Sequence, residues 1–495
     1  MTTPSSSSLP VSPSGLLRSA LLWAAAALTG CTPSILQFTE CTSNFECQSV
    51  MGYGSACEVE TGFCRTVDMH ARCDSTHPED LTFPIPQEEK FLIASLFGRS
   101  DAHKARRDAT ELAVIQANRN QGVDGRDFGI LHCNYDEDPS IDDLDQTAAV
   151  ESITTWLADE VGIPAIVGPA ASSLSQAVYN NVNGPANLDV LVVSPSATAP
   201  SLTDIHGDDD DLFWRTAPPD GGQGIAIAED MRNEFDPAGI THYRTAPVEK
   251  LAILYQEGAY GEGLKDVVFE ELDRLGGQSF LFPFNQGTLG SQVAQIATSG
   301  EGPFDEVLLI SSDAVDYNGF LAAANNNAYF ADLPLFFSDG GRTADIFPDV
   351  GDLGPNVRGS VPSLPTGVVF QTFAADFTLA GYGDSNLHSF VPHAYDAAML
   401  TIYAHAWATS NESRVSGTEL AAGFRRFSDG ANTDIDDYTS AVSPLTSGNT
   451  IDVEGASGAL DFKANGELPS TIEIWTLSGS GQSLDFTEQY IFVEN

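Results

Sequence analysis

Basic residues are scarce in this 495-residue chain: lysine and arginine together number 22, against 69 aspartates and glutamates. The formal net charge is −47 at pH 7, and lysine is confined to Lys90, Lys104, Lys250, Lys265 and Lys463. A surface this acidic repels polyanions, which excludes nucleic acid and anionic lipid as partners of the folded part. It also suits solubility in concentrated salt. Adaptation to salt and an accumulation of acidic residues without such adaptation are both compatible with this composition.

The sequence also has no apolar run long enough to be an obvious membrane span. Residues 21–28 are apolar but too few to cross a bilayer, and they end in Leu28-Thr29-Gly30-Cys31, which resembles the bacterial lipobox. This predicts that residues 1–31 are a lipoprotein signal peptide and that the lipid on Cys31 is the only membrane contact. A soluble protein cut at an ordinary signal-peptidase site is the alternative. Thr32 after the cysteine favours the outer membrane under the enterobacterial sorting rule.

Motifs of nucleotide-binding and hydrolytic enzymes are missing. There is no Walker motif, no H-E-x-x-H and no G-x-S-x-G, and Gly261-x-Gly263 lacks the third glycine of a dinucleotide fingerprint. The nine histidines show no paired ligand spacing, and the acidic residues 208–211 lack the spaced ligands and central glycine of a calcium loop. We therefore expect no enzymatic activity, no cofactor and no metal site.

Cysteine is rare and unevenly placed. Apart from Cys31, the cysteines are Cys41, Cys47, Cys57, Cys64, Cys73 and Cys133. In an exported chain, this even set predicts disulfides that staple a segment too small to have its own core, and the missing C-x-x-C pairs argue against zinc. We expect two bridges among the first four cysteines, within a linker and Cys-rich module at residues 32–86. Their connectivity stays open, and Cys73 with Cys133 would clasp the module to the main body.

From about residue 89 onward, short β-rich runs alternate with stretches of helical periodicity. Residues 91–96 and 128–132 are predicted strands, and residues 108–118 and 147–160 are predicted helices. After Arg215 the alternation resumes, with predicted helices at 224–235, 263–275 and 316–325 and predicted strands at 251–255, 306–310 and 334–337. Such alternation is typical of βαβ units, in which helices cover both faces of a parallel sheet. The two series predict an α/β protein with two sheets.

The most informative pattern is a pair of strands that each run into a turn of small and hydroxyl residues. Residues 163–168 lead into Pro169-Ala-Ala-Ser-Ser-Leu174, and residues 190–193 lead into Ser194-Pro-Ser-Ala-Thr-Ala-Pro200. Parallel strands end at the same sheet edge, and such turns leave backbone N–H groups and hydroxyls free. Two of them can hold a carboxylate, which indicates ligand capture rather than bond breaking.

These turns and the residues around them resemble the periplasmic branched-chain amino acid (Leu/Ile/Val)-binding proteins. These are type I substrate-binding proteins of ABC transporters. The resemblance rests on Gly168-Pro169-x-x-Ser172-Ser173, Ser194-Pro195-Ser196-Ala197-Thr198-Ala199-Pro200-x-Leu202-Thr203 and Phe213-x-Arg215-Thr216. It continues in Ala259-Tyr-Gly-Glu-Gly-Leu264, Phe336-Phe-Ser-Asp-Gly340 and Ala394-Tyr-Asp-Ala-Ala398. In all, it spans roughly residues 90–475.

The resemblance implies two doubly wound parallel-sheet lobes that are joined by three hinge crossovers and preceded by the Cys-rich module. The N-terminal lobe would comprise residues 87–217 and 366–455, and the C-terminal lobe residues 218–365 and 456–495. The implied crossings lie near residues 216–222, 361–367 and 455–459. The Pro-rich and Gly-rich composition of the first two suits connectors of this kind.

The resemblance also implies a ligand site between the lobes. The residues that it assigns to this site are Ala171, Ser172, Ser196, Ala197, Thr198, Tyr260 and Asp339. The hydroxyls would clamp a carboxylate, Asp339 would neutralise an ammonium group, and Tyr260 would lie against the ligand. Taken singly, each hydroxyl is also a normal helix cap or turn residue, Asp339 suits an Asx turn with Gly340, and Tyr260 suits a core position.

Two departures from the family pattern affect the ligand. Asp101-Ala102-His103 stands where well-known members place a tyrosine, and polar residues near Ser311-Ser-Asp313 replace a further aromatic. A polar amino acid, an amide or another small carboxylate is therefore as plausible as leucine, isoleucine or valine.

The expected function is that of a lipid-anchored receptor in the cell envelope. It would close its two lobes around an amino-acid-like ligand and present that ligand to an inner-membrane ABC permease. The alternative keeps the fold but makes the chain an envelope lipoprotein that acts as a sensor or as a regulator of a cell-wall or signalling partner.

Overall fold

The computed structural model describes residues 39–207, 211–234, 243–285, 288–412, 414–479 and 484–493. The predicted signal peptide with Cys31 lies outside these ranges, as do residues 208–210 of the acidic run. None of the helices in these ranges combines the length and the hydropathy needed to span a bilayer.

The Cys-rich module is a helix and a hairpin held together by disulfides. Its elements are α1 (Asn44–Met51), β1 (Ser55–Glu58) and β2 (Phe63–Thr66). Bridges join Cys41 to Cys57 and Cys47 to Cys64, which confirms that the first four cysteines pair with one another. The third bridge, Cys73–Cys133, ties the module to the first sheet, also as predicted.

The first sheet has six strands in the order β3-β5-β4-β6-β7-β8. Their bounds are β3 (Ser75–His77), β4 (Lys90–Phe97), β5 (Asp127–Asn134), β6 (Ala165–Val167), β7 (Leu191–Ser194) and β8 (Phe213–Arg215). Strand β3 pairs antiparallel with β5, and the other neighbours are parallel. The sheet is therefore parallel except at the edge next to the Cys-rich module.

Helices cover both faces of this sheet because its strands are apolar on both sides. In β4, Phe91 and Ile93 belong to one core cluster, while Leu92 and Ala94 belong to the other. The helices between the strands are α2 (Asp101–Arg119), α3 (Gln146–Thr155), a π-helical turn (Trp156–Val161) and α4 (Ser172–Asn183). Helix α2 begins earlier than its periodicity predicts, because Ser100 caps it by accepting a hydrogen bond from the His103 N–H group at 3.2 Å.

The second sheet has seven strands in the order β10-β9-β11-β12-β13-β17-β18. Its first five are β9 (Lys250–Gln256), β10 (Gln278–Phe284), β11 (Glu306–Ile310), β12 (Leu335–Phe337) and β13 (Val357–Pro362), all mutually parallel. Helix α5 (Asp220–Arg232) precedes these strands, and the helices between them are α6 (Ala259–Arg274), α7 (Leu289–Thr298) and α8 (Ala314–Asn325). Alternate residues of β9 point into two separate cores, so this sheet is also covered on both faces.

After β13 the chain returns to the first lobe. The returning helices are α9 (Val368–Leu379), α10 (Val391–Asn411), α11 (Gly417–Phe424) and α12 (Tyr438–Thr446), together with a small sheet of β14 (Ala431–Asp434), β15 (Ile451–Gly455) and β16 (Gly458–Ala459). Helix α10 is buried along most of its length against the core next to α2. The last strands, β17 (Thr471–Ser478) and β18 (Asp485–Val493), add antiparallel to the edge of the second sheet.

The chain passes between the lobes three times, which confirms the predicted architecture of two lobes and three crossovers. The first two passages follow β8 and β13, near the predicted residues. The third comes later than residues 455–459, because Leu460 and Leu468 pack into the first-lobe core before β17 begins. The three connections touch one another: Ser363 N–H donates to the Thr471 carbonyl at 2.8 Å, and the Ser470 hydroxyl donates to the Pro219 carbonyl at 3.4 Å.

Short 3-10 turns complete the described secondary structure. They are Pro200–Gly207, Ala328–Phe330, Asp339–Gly341, Ala344–Asp349, Gly351–Asn356 and Ser385–Leu387. Two of them follow strands at the edge where the lobes face each other, directly after β12 and shortly after β7.

Replacing both Cys73 and Cys133 by alanine should lower the free energy of unfolding by about 4 kcal/mol, because the bridge closes a long loop and restricts the unfolded chain. The bridged residues are 60 apart, against 16 for Cys41 and Cys57. The matched double alanine variant of Cys41 and Cys57 should cost less, about 3 kcal/mol. Urea unfolding followed by tryptophan fluorescence measures both. Equal losses, or a larger loss for the shorter loop, would contradict the prediction.

Candidate functional site

A cleft lies where the carboxyl ends of the two sets of parallel strands face each other. It encloses about 680 Å³ of empty space when its open mouth is included. The first lobe lines it with His103, Arg106, Tyr135, Gln146, Ala170, Ala171, Ser172, Leu174, Ser196 and Phe390. The second lobe lines it with Gln256, Tyr260, Ser312, Asp313, Asp339 and Gly340.

Most of the residues that the sequence assigns to the site line this cleft. Those in its wall are Ala171, Ser172, Ser196, Tyr260 and Asp339, whereas Ala197 and Thr198 are not. Their roles as ligand contacts stay predictions.

The two hydroxyl-bearing turns are tied to each other. The Ser196 hydroxyl donates to the Ala170 carbonyl at 3.0 Å, and the Ser172 hydroxyl oxygen accepts from the Ala199 N–H group at 3.1 Å. Both side chains thus act as turn residues and also face the cleft. The Ser172 hydroxyl keeps its proton for a ligand, because its bond to Ala199 uses only a lone pair.

Helix α4 points its N-terminus at the cleft. Its N-cap, Ala171, has no side chain that could accept from the first-turn N–H groups, and Ser172 is the first helical residue. The first backbone N–H groups of a helix have no intrahelical acceptor, and the helix dipole adds partial positive charge there. This end of α4 therefore suits a carboxylate.

Ala197 and Thr198 lie behind the cleft wall. Ala197 is fully buried, and its carbonyl accepts from the Arg215 guanidinium at 3.1 Å. The Thr198 carbonyl accepts from the Asp220 N–H group at 2.9 Å, and its side chain is buried. In this structure the two residues support the second turn and do not line the cleft.

On the opposite wall, Asp339 is held by a network of hydroxyl groups. The Tyr260 hydroxyl hydrogen-bonds both the Asp339 carboxylate and the Ser338 hydroxyl, the latter at 2.8 Å. The N–H group of Gly340 donates to the same carboxylate at 2.8 Å, as the Asx-turn interpretation predicted. Gly340 has no room for a side chain, because a Cβ atom there would lie 2.2 Å from the Ser311 carbonyl oxygen.

Burial raises the pKa of Asp339 to about 6, although the hydrogen bonds from Tyr260 and Gly340 and the charge of Arg106 oppose the rise. Only 3% of the residue is exposed. A ligand cation next to this carboxylate would favour its ionised form and offset the cost of its burial.

A second buried carboxyl, Asp220, was not predicted from the sequence. It begins α5 just after the first crossing, and its carboxyl lies beside the Thr198 side chain. Its burial and the nearby charge of Asp339 raise its pKa well above the usual value. Both effects favour the neutral form of Asp220, so the negative charge of the pair resides on Asp339. The only sequence signal was an acidic residue in the connector Pro218-Pro219-Asp-Gly.

The first-lobe wall carries His103, Tyr135 and Arg106 in the region where the sequence departs from the family pattern. The rings of His103 and Tyr135 meet edge to face with their centroids 5.8 Å apart. Burial, together with the charge of Arg106, lowers the pKa of His103 to about 3. The imidazole is therefore neutral at physiological pH, and Arg106 supplies the positive charge of this wall.

The second departure also lies in the wall, since Ser312 and Asp313 line the cleft. Asp313 caps α8 by accepting a hydrogen bond from the Val315 N–H group at 2.9 Å. Burial raises the pKa of this carboxyl. Both departures thus make the cleft more polar.

Arg215 fixes the second turn from behind. Its Nη1 group donates to the carbonyls of Ala197 and Ala199 at 3.1 and 2.9 Å. Nε and Nη2 bind the two carboxylate oxygens of Glu467 at 2.8 and 2.7 Å, and Nη2 also donates to Thr203 Oγ1 at 3.0 Å. All five N–H donors of the guanidinium are therefore used in a fully buried position.

Comparison with known proteins gives one curated relative by sequence. No family model matches the chain. The chemotactic signal transduction system substrate-binding protein BasB of Halobacterium salinarum is 27% identical over 377 residues, which are 75% of this chain and 82% of that protein.

Solved structures share the fold at low sequence identity. The branched-chain amino acid transporter substrate-binding protein LivJ of Streptococcus pneumoniae, in complex with isoleucine, has a TM-score of 0.60 at 18% identity and covers 81% of this chain and 100% of its own. A solute-binding protein of an ABC transporter from R. palustris, in complex with 4-hydroxybenzoate, has a TM-score of 0.62 at 13% identity, with 82% and 98% covered. The chain therefore has the type I periplasmic binding protein fold. These three proteins are named as substrate-binding or solute-binding proteins.

Replacing Glu467 by glutamine should lower the free energy of unfolding by about 3 kcal/mol, because it leaves the buried Arg215 guanidinium without a counter-charge. Urea unfolding measures this loss. As a control, Glu160→Gln removes the partner of Arg65 in an ion pair whose side chains are 36% and 43% exposed, and it should cost less than about 1 kcal/mol. Equal losses in the two variants would show that the Arg215 ion pair does not stabilise the turn.

Proposed function

We propose that the chain is an exported solute-binding protein that captures an amino acid, or a related small carboxylate or amide, between its two lobes for an ABC transporter. The observation that carries this proposal is the pairing of opposite charges across the cleft. The N-terminus of α4 lies on one wall, and the Asp339 carboxylate lies on the other.

An α-amino acid fits this pairing because it is a zwitterion. Its carboxylate would accept hydrogen bonds from the first N–H groups of α4 and from the Ser172 hydroxyl, with Ser196 beside it. Its ammonium group would donate to Asp339, which also accepts from the Tyr260 hydroxyl and the Gly340 N–H group.

Capture would proceed by a shift toward the closed state. A ligand that touches Ser172 on one lobe and Asp339 on the other binds best when the lobes are together, so its binding energy favours closure. The three adjacent crossing segments suit bending at one place. No chemical step is required of any residue.

The proposed location is the cell envelope, with anchoring through a lipid on Cys31. The three disulfides support an oxidising compartment, where such bridges persist. The proposed partner is an inner-membrane ABC permease that recognises the closed lobes.

A second candidate function is sensing, and the relative named for a chemotactic signal transduction system favours it. The same closed form would then be read by a signalling partner at the membrane. Two measurements in a deletion strain separate transport from sensing. One is the uptake of a radiolabelled ligand, and the other is the behavioural response to that ligand. Loss of uptake supports the transport function, and loss of the response alone supports sensing.

The purified chain should melt at a higher temperature in the presence of its amino acid, and the shift should grow with concentration. At 100 times the dissociation constant, the stabilisation amounts to about 2.7 kcal/mol. Asp339→Asn should abolish the shift, whereas Asp349→Asn, which removes an exposed carboxylate of the same lobe, should leave it intact. No shift with any member of a panel of amino acids and amides would overturn the proposed function.

Affinity for an amino acid should fall by about tenfold between pH 7 and pH 5, because the proton that Asp339 binds below pH 6 competes with the ligand ammonium. His103 stays neutral over this range, since its pKa is about 3. Isothermal titration calorimetry at several pH values measures the profile, with Asp339→Asn as the control that should bind weakly and show a flat profile. An unchanged affinity in the unmodified chain would show that Asp339 does not bind the ammonium.

A further inference from the structure

Arg106 reaches the cleft from the second turn of α2. Its Nε donates to the Ser389 carbonyl at 3.2 Å, and its Nη2 donates to the Ser389 hydroxyl at 3.3 Å. The centre of the guanidinium lies 5.5 Å from the ring centroid of Phe390, which also lines the cleft. The side chain is thus held in place, while its Nη1 group donates to no residue in the described ranges.

The pairing of Arg106 differs from that of the other buried arginines. Only 6% of Arg106 is exposed, yet no carboxylate oxygen of the described residues lies within 4.0 Å of its guanidinium. The other three buried arginines are each paired with an acid, as Arg72–Asp142, Arg215–Glu467 and Arg358–Glu306. The chain has 69 acidic residues, yet among the arginines buried in the described part of it, the one without an acidic partner is the one in the cleft.

A buried guanidinium without a counter-ion is costly, and it remains charged here. Burial lowers the pKa of Arg106 to about 10, while the more distant charges of Tyr135, Asp339 and Asp345 oppose the fall. At neutral pH the side chain is therefore a cation, with a planar array of donors that matches a carboxylate. An anionic group of the ligand would supply the missing partner.

We infer that Arg106 receives a second anionic group of the ligand, so that the cleft selects an acidic amino acid. This rests on the proposed function, in which α4 and Ser172 hold the α-carboxylate and Asp339 holds the ammonium. With both α-groups placed, the group that remains to face Arg106 is the ligand side chain. A side-chain carboxylate, as in aspartate or glutamate, matches its charge and its geometry.

Asp313 is the acidic residue in the wall that could oppose such a ligand. Its carboxylate is occupied as the cap of α8, accepting from Val315 N–H, and burial favours its neutral form. The neighbouring His103 is neutral. The charge that faces an incoming carboxylate on the first-lobe wall is therefore positive.

The test compares acids with their amide isosteres by isothermal titration calorimetry on the purified chain. L-Glutamate and L-aspartate should bind at least about tenfold more tightly than L-glutamine and L-asparagine, because the amides leave the guanidinium without a counter-charge. Arg106→Gln should weaken binding of the acids by at least about tenfold and remove the preference, while affinity for the amides stays within about threefold. Arg106→Lys should retain part of the preference for acids.

The matched control is Arg107→Gln, which removes the next arginine of α2. Its side chain is 33% exposed and pairs with Asp108 at 3.3 Å, so the acid preference should persist. The melting temperature of each ligand-free variant verifies folding. Equal affinities for acids and amides in the unmodified chain, or a loss in Arg106→Gln that is the same for both, would overturn the inference and leave the proposed function standing. No binding of any amino acid would overturn both.

Discussion

The candidate site depends on one buried ion pair, between Arg215 and Glu467. The two residues are 252 positions apart, one at the end of β8 and the other just before the third passage between the lobes. Because the guanidinium also holds the carbonyls of Ala197 and Ala199, the same contact sets the shape of the second turn. The ligand wall and the start of a crossing segment are therefore positioned by a single side chain, and neither can shift alone without leaving a buried charge unpaired.

The two walls of the cleft differ in charge. The first lobe offers donors and positive charge, from the start of α4 and from Arg106. The second lobe offers negative charge from Asp339, next to the buried carboxyl of Asp220, whose neutral form is favoured by burial. A molecule that carries both signs bridges the walls, whereas a simple anion or cation leaves one wall without a partner. Around the cleft, the strong net negative charge of the chain disfavours anions in general, so an acidic ligand needs a dedicated cation such as Arg106.

Much of the fold could be predicted because strands buried on both faces, separated by amphipathic helices, leave a clear periodic pattern. The turns at Ala171 and Ser196 and the carboxylate of Asp339 could be placed because each directly follows a strand. The strand Gln278–Phe284 and the helix Leu289–Thr298 were not predicted. The strand lies at the edge of its sheet, most of its residues are exposed or half-buried, and Pro283 interrupts its aromatic run. Arg106 and Asp220 were missed for another reason. Their burial depends on residues distant in sequence, and a charged residue on a helix is normally exposed.

The bridge between Cys73 and Cys133 lies close to the ligand wall, because Tyr135 follows Cys133 by two positions. Arg72 lies beside the other cysteine. Its guanidinium donates to the Asp136 carbonyl at 2.7 Å, and its backbone carbonyl accepts from the Asn134 N–H group at 2.9 Å. The segment that carries this part of the wall is thus braced by the small N-terminal module. Under the proposed export, this bridge would form only outside the reducing cytoplasm, so the brace of this wall would be completed after secretion.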